Sequence, residues 1–470
     1  MASPLTDEQR AYARGLLAKA RVAMKAIEDY DQAKIDRLCQ ALAWATANEV
    51  TMTRIANMAV DESELGDRVG RVSKRFKIMG VLRDALRQKS MGVIEDLPEK
   101  GIVKYAKPAG VIASLIPTTN PDQTPPVTGI YALKCKDAVI FSPHPRAKKT
   151  TCEVVRIMRE ALRRQGAPED LFQVIEKPSV PLTGELMAIC DLTMATGGQP
   201  MVRAAYSSGK PAYGVGAGNS TMVIDETADI AEAAKNTRIS KTSDFGSGCS
   251  ADGNLIVSAK IYDAFLSQLQ KEGGYLANDE ERAKLLAGMW DAEGHRTIET
   301  VARAPQAVAK HCGFTIPDDR KFLIVKNDGQ IGKEHRFSGE KLTTLLAIYK
   351  YEGEFETALD MVRGIYEVGG KGHSVGIYSF DDDHIHRLAL MAPVSRIMVR
   401  QPQSKANAGA FNNGMPMTSS LGCGIWGGNI ISENVHLKHF MQTTWVSRPI
   451  PEDRPSDQEL FGEFYNSEIF

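Results

Sequence analysis

No stretch of the chain is apolar for long enough to cross a bilayer, which takes about 20 consecutive residues. The first ten residues, MASPLTDEQR, turn polar at once and hold no signal-peptide core. Neither sign of charge dominates. Fifty-seven basic residues meet 58 acidic ones, a net charge of -1, which argues against a nucleic-acid or membrane-surface binder. Cysteine is scarce and scattered: the seven residues at 39, 135, 152, 190, 249, 312 and 423 are odd in number, and no pair has close metal-ligand spacing. Disulfides need an oxidising compartment. The expectation is a cytoplasmic protein with reduced thiols and no metal site. The Gly-x-Gly-x-x-Gly dinucleotide fingerprint is also missing.

What is present is a soluble composition, 43% apolar and 24% charged. At 470 residues the chain exceeds one ordinary core, so two or three domains are expected. Thr6 to Gln9 spells a capping box, and Tyr12, Leu16, Ala20 and Met24 follow at helical spacing. Asp31 starts a second helix, and Lys74 to Leu86 reads as a third. Residues 91–107 alternate like strands of a projecting hairpin. Strand and helix then take turns. Runs at 110–116, 138–141, 172–175, 192–196 and 221–224 are separated by helical patterns, the signature of a doubly wound parallel sheet. Residues 275–310 look helical and peripheral. Strands return at 321–325, 374–378 and 396–399, around a helix carrying Phe355, Leu359, Val362 and Ile365, which predicts a second α/β unit.

Candidate chemistry falls at loops. Cys249 follows Gly246 and Gly248 in a segment of small and polar residues between a helix and the apolar run Leu255-Ile-Val257. Glycines let another molecule come close, so this thiol is the candidate nucleophile. Pro117-Thr-Thr-Asn-Pro121 ends a strand where open α/β sheets bind ligands, and the Asn120 amide can donate to an oxyanion. Cys423 and His144 are weaker candidates. His373 reads as structural.

Several ordered segments together resemble the CoA-acylating branch of the aldehyde dehydrogenase superfamily. They are IPTTNP (116–121), FSPHPRAK (141–148), ATGG (195–198), AAYSSGKPAYGVGAGN (204–219), the Cys249 region, GEKL (339–342) and LGCGIWGGNIISENV (421–435). The branch includes acylating sulfoacetaldehyde and succinate-semialdehyde dehydrogenases and the aldehyde half of bifunctional aldehyde–alcohol dehydrogenases. The resemblance implies an α/β fold with a Rossmann-like cofactor domain over 1–240, an arm at about 91–108, a catalytic domain over 241–430, and a return segment and oligomerisation tail over 431–470. It implies NAD or NADP as cofactor, coenzyme A as co-substrate, and a homodimer or homotetramer. Cys249 falls at the nucleophile, Asn120 at the oxyanion donor and Glu340 at the glutamate that contacts the nicotinamide ribose. Ser142, Pro143, His144, Thr196, Gly197, Gly198, Gly216 and Gly218 fall along the cofactor. Val215 stands where hydrolytic relatives carry their general-base glutamate. The residues around the cysteine, Asp244-Phe-Gly-Ser-Gly before it and Ser250-Ala-Asp-Gly after, depart from the usual pattern of the branch. A small anionic aldehyde is the expected substrate, by a Cys249 thioester whose formation needs a thiolate. The rivals are a hydrolytic dehydrogenase and an inactive nucleotide-binding or filament-forming protein.

Overall fold

Three sheets organise the chain, and the computed structural model describes residues 4–465 of it. The N-terminal helices bury one side each. Thr6 and Gln9 close the reciprocal cap of Asp7–Ala26, and Asp31 caps Gln32–Ala47. Asn48 ends that helix and caps the next, Glu49–Ser63, an element its sequence periodicity did not disclose.

β1 (Gly92–Leu97) and β2 (Ile102–Pro108) form an antiparallel hairpin. The chain then enters a five-stranded parallel sheet. Its members are β3 (Val111–Ile116), β4 (Ala138–Pro143), β5 (Phe172–Val174), β6 (Leu192–Thr196) and β7 (Ala212–Val215), in the order β5-β4-β3-β6-β7. β3 and β4 are buried along their whole length, which is why they read as continuous apolar runs. The chain winds outward from β3 to β5, then returns to the far side of β3 for β6 and β7. That reversal leaves a crevice at the carboxyl ends of β3 and β6, the place where such sheets receive ligands.

The second sheet has seven parallel strands. They are β8 (Thr221–Ile224), β9 (Asn254–Ser258), β10 (Gly274–Leu276), β11 (Phe322–Lys326), β12 (Leu345–Tyr351), β13 (Val375–Tyr378) and β14 (Ile397–Val399), in the order β10-β11-β12-β9-β8-β13-β14. The expected boundary at 240 is therefore displaced. The chain changes sheets between Val215 and Thr221, because β8 pairs with β9 on one side and β13 on the other. The strand rhythm runs unbroken across both sheets, so rhythm alone gave no sign of the change. β12, which lies between β11 and β9, was not foreseen. Nor is 275–310 wholly peripheral: Leu285, Met289, Trp290 and Val308 are buried in the second core.

The return segment also starts earlier than 431. Met417 joins Val435, Leu437 and Phe440 in the first core, and Tyr131 Oη donates to the Met417 carbonyl at 2.7 Å. β15 (Met441–Ser447) then pairs antiparallel with β2 and completes the three-stranded arm.

Candidate active site

Cys249 lies between the helix Ile230–Thr242 and β9. The approach is bent. Asp244 and Phe245 hold left-handed backbone, φ 49° and 51°, a region costly for side chains other than glycine. Buried contacts offset that cost. The Asp244 carboxylate takes Lys74 Nζ at 2.8 Å and Arg71 Nη2 at 3.1 Å, and accepts from Ser247 Oγ at 2.9 Å. Burial alone would raise its pKa, but Lys74 and Arg71 hold it well below the usual carboxylate range.

His373 Nε2 lies 3.1 Å from Cys249 Sγ. This contact overturns the structural reading of His373. The surrounding bonds choose its tautomer. Asn407 Nδ2 donates to Ser374 Oγ at 2.9 Å, and His373 Nδ1 is 2.9 Å from the same oxygen. Ser220 Oγ donates to the Cys249 carbonyl at 3.0 Å and lies 3.4 Å from Ser374 Oγ. One assignment satisfies every partner. Nδ1–H donates to Ser374 Oγ, Ser374 O–H donates to Ser220 Oγ, and Nε2 is left to accept from the thiol. Arg396 Nη1 fixes the His373 carbonyl at 2.9 Å. Gly372, one residue earlier at φ 83°, is required: a Cβ there would lie 1.7 Å from the Cys423 carbonyl oxygen.

Both members of the pair are neutral. Burial, then the Arg396 charge, lowers the His373 pKa to about 3. Burial, then the Glu340 charge, pushes the Cys249 thiol up to about 12. The expectation of a standing thiolate is thus corrected. An unprotonated Nε2 on the thiol instead supplies an acceptor at the moment of attack.

Cys249 opens on a narrow cleft that Asn219, Lys241, Glu340 and Lys341 also line. Glu340 Oε1 accepts from the Gly218 N–H at 3.1 Å. Burial raises this carboxyl to about 7, and the Gly218 hydrogen bond and Lys241 oppose the rise. Lys341 Nζ is spent on Asn254 Oδ1 and the Phe337 and Gly339 carbonyls. Gly218 holds the cleft together: a Cβ there would lie 2.0 Å from the Cys249 carbonyl oxygen.

The other expected residues gather at the carboxyl edge of the first sheet. Ile116 is opposite Pro143, Leu115 opposite Ala195 and Thr196 opposite Val215. Ser142 Oγ pairs with Thr183 Oγ1 at 2.8 Å, and Thr196 Oγ1 with Ser420 Oγ at 2.9 Å. His144 is exposed beyond the end of β4, its Nδ1 accepting from the Arg146 N–H at 3.2 Å. Gly197 and Gly198 lead into the helix Gln199–Tyr206, whose start has no side-chain cap; Pro200 carries no N–H, and the Met201 and Val202 N–H groups donate to the Gly198 carbonyl. The glycines and Gln199 are left to approach a phosphate there. Gly216 packs by Cys423, where a Cβ would meet its Sγ at 3.3 Å. Asn120 does not line the Cys249 cleft. Its Oδ1 accepts from Lys74 Nζ at 2.8 Å, so Lys74 joins it to Asp244 and to the nucleophile segment. Among the described residues no three His, Cys, Asp or Glu side chains converge as a metal centre requires.

The sequence profile of the aldehyde dehydrogenase family matches residues 5–285. The chain is 45% identical over 453 residues to the sulfoacetaldehyde dehydrogenase of Acholeplasma sp, covering 95% of this chain and 93% of that one. It belongs to the aldehyde dehydrogenase family. Among solved structures it is similar to an acetylating aldehyde dehydrogenase from Geobacillus thermoglucosidasius, with a TM-score of 0.91, 36% identity and coverage of 96% and 99% of the two chains. It is also similar to a propionaldehyde dehydrogenase from Rhodopseudomonas palustris with bound CoA and an acylated cysteine, with a TM-score of 0.82, 26% identity and coverage of 93% and 97%. Within the family the chain falls in the acylating branch, as an oxidoreductase acting on aldehydes.

Proposed function

We propose that the chain converts a small anionic aldehyde, such as sulfoacetaldehyde, with CoA and NAD(P)+ into acyl-CoA and NAD(P)H. One observation carries the reading: the imidazole Nε2 of His373 lies 3.1 Å from the Cys249 sulfur. Cys249 Sγ attacks the aldehyde carbonyl while its proton passes to His373 Nε2. Backbone N–H groups of the Cys249 segment stabilise the oxyanion, one such donor being worth roughly 3 kcal/mol, and the Asn120 amide, which lies outside the cleft here, joins them only by moving toward Cys249. A bound nicotinamide supplies the hydride acceptor. The residues present fit it: Gly197 and Gly198 offer uncapped N–H groups to its diphosphate, with Ser142, Pro143, His144, Thr196 and Gly216 along the same edge. Glu340, anchored on Gly218, stands in the cleft to meet its ribose. The product on Cys249 is a thioester. CoA thiol, losing its proton to solvent, then displaces the Cys249 sulfur, and His373 returns its proton to that sulfur.

Succinate semialdehyde and short-chain aldehydes are the neighbouring substrate readings. A hydrolytic reading draws on Glu340, which shares the cleft with Cys249 and is a carboxylate able to deprotonate water. Its oxygen is committed to Gly218, and Val215 is apolar and buried in β7. The arm of β1, β2 and β15 leaves Tyr105 and Trp445 exposed, which supports assembly as a homodimer or homotetramer through that sheet. The test is a panel of sulfoacetaldehyde, succinate semialdehyde, acetaldehyde and propionaldehyde, each with both cofactors and with or without CoA. Anionic aldehydes should give the highest kcat/KM, only with CoA, and Cys249→Ala should give none. Turnover by Cys249→Ala refutes the reading.

A further inference from the structure

Residues 66–74 bridge two loops of the site, one from each parallel sheet. On one side they hold the segment that leads to Cys249. Asp67 N–H donates to Asp244 Oδ1 at 2.8 Å, and Arg71 Nη2 and Lys74 Nζ meet Asp244 Oδ2 at 3.1 and 2.8 Å. The same carboxylate accepts from Ser247 Oγ, two residues before Cys249. The fit is close: Gly66 holds φ 88°, and a Cβ there would lie 2.2 Å from Asp244 Oδ1. On the other side they hold the loop after β3. The Thr119 carbonyl accepts from Arg71 Nη2 and Lys74 Nζ, and Asn120 Oδ1 accepts from Lys74 Nζ at 2.8 Å.

The direction of that last contact is forced. A lysine ammonium carries three donors and no acceptor, so the end of the Asn120 amide that faces it is the oxygen. A turned amide would set an NH2 group against an ammonium. The NH2 end therefore points away from Lys74, with one long contact, 3.4 Å, to Thr119 Oγ1. An oxyanion needs a donor, and the donor end is the one left available. Lys74 is itself pinned. It and Arg71 face Asp122 and Asp244, two cations against two carboxylates, with no side chain of the four more than 13% exposed.

We infer that Lys74 is a positioning residue for the reaction: it holds the Asn120 amide with its NH2 outward and, through Asp244, ties that amide to the segment carrying Cys249. The inference rests on the reading of Asn120 as an oxyanion donor. The approach of Asn120 to Cys249 then needs a shift of a loop already oriented, and no turn of the amide.

The test is a double-mutant cycle on the whole enzyme with CoA and NAD(P)+, on the panel aldehyde that turns over fastest. Asn120→Ala should lose about 100-fold in kcat. Lys74→Met should lose about 10-fold in kcat, the size of one charge-assisted hydrogen bond. Its KM for NAD(P)+ should stay within about 3-fold of wild type, because Lys74 acts on the chemical step. Lys74→Arg, which also only donates, should recover most of the loss. The double variant should lie within about 3-fold of Asn120→Ala, since Lys74 then has no amide to orient. Lys74→Gln, whose amide can present either end, replaces Lys74→Met in the cycle if that variant does not fold. Losses that multiply in the double variant overturn the inference, because a general loosening of the fold acts whether or not Asn120 is present. Wild-type kcat in Lys74→Met overturns it too. Wild-type kcat in Asn120→Ala overturns the oxyanion reading and this inference with it.

Discussion

At the scale of single residues, the proposed chemistry depends on an imidazole that is neutral before attack and takes the thiol proton during it. His373 Nε2 faces the Cys249 sulfur because Ser374 Oγ, itself held by Asn407 Nδ2, occupies its other nitrogen. Removing the acceptor as His373→Asn should lower kcat/KM by about 100- to 1,000-fold, with Cys249 still present and the fold kept. Steady-state kinetics and circular dichroism check both parts. The same burial sets a pH signature. The folded histidine has its pKa lowered to about 3, whereas the unfolded one titrates near 6.5. Above pH 6.5 it is neutral in both states and contributes nothing to the pH slope. Between 6.5 and about 3 the unfolded chain binds the proton and the folded one does not, so stability falls as pH falls, by roughly 1.4 kcal/mol per unit. Urea unfolding at pH 7 and pH 5 should show a smaller loss in His373→Asn than in wild type. Equal losses would contradict a buried neutral imidazole. Cys249 was legible as a candidate nucleophile from its glycines. Its partner was not, because 124 residues separate them and no local pattern marks a histidine that the fold delivers.

At the scale of elements, close backbone approach decides the site. The turn after β7 passes so near the Cys249 segment that Gly218 has no room for a methyl group. Gly218→Ala should displace the nucleophile or the Glu340 anchor. A loss of about 1–3 kcal/mol in stability is expected, with a larger proportional loss in activity. Thermal melts and kcat read the two effects separately, and an unchanged kcat would show that the contact is not required. Four strands of the first sheet were legible because parallel strands buried on both faces read as apolar runs; β7, short and carrying Gly214, was not. The boundary between sheets was not. β8 looks like one more strand in the same rhythm, and only its pairing with β9 and β13 assigns it to the second sheet. Leu345 to Tyr351 is as apolar as its neighbours, yet it escaped notice beside the GEKL segment.

At the scale of the whole molecule, two sheets and an arm divide the work. In the proposed reading the carboxyl edge of the first sheet receives the dinucleotide, and the second sheet carries Cys249 and His373. The return segment ties them: Thr196 meets Ser420 across the join, and β15 completes the arm. The arm leaves Trp445 and Val446 exposed. Light scattering should find a homodimer or homotetramer in wild type, and Trp445→Lys combined with Val446→Lys should lower its mass. A monomeric wild type would contradict assembly through the arm. The N-terminal cap and the hairpin were legible from local chemistry. The joining of distant segments was not, since Met417 and Phe440 enter the first core from the far end of the chain.

An acyl group that waits on Cys249 for a thiol is the centre of the proposed reaction. Rapid mixing of enzyme, aldehyde and NAD(P)+, with and without CoA, measures this directly. Without CoA, about one NAD(P)H per subunit should appear in a burst and then stop. With CoA, turnover should continue and acyl-CoA should be the product. Sustained NAD(P)H formation without CoA, with free acid as the product, would contradict the account.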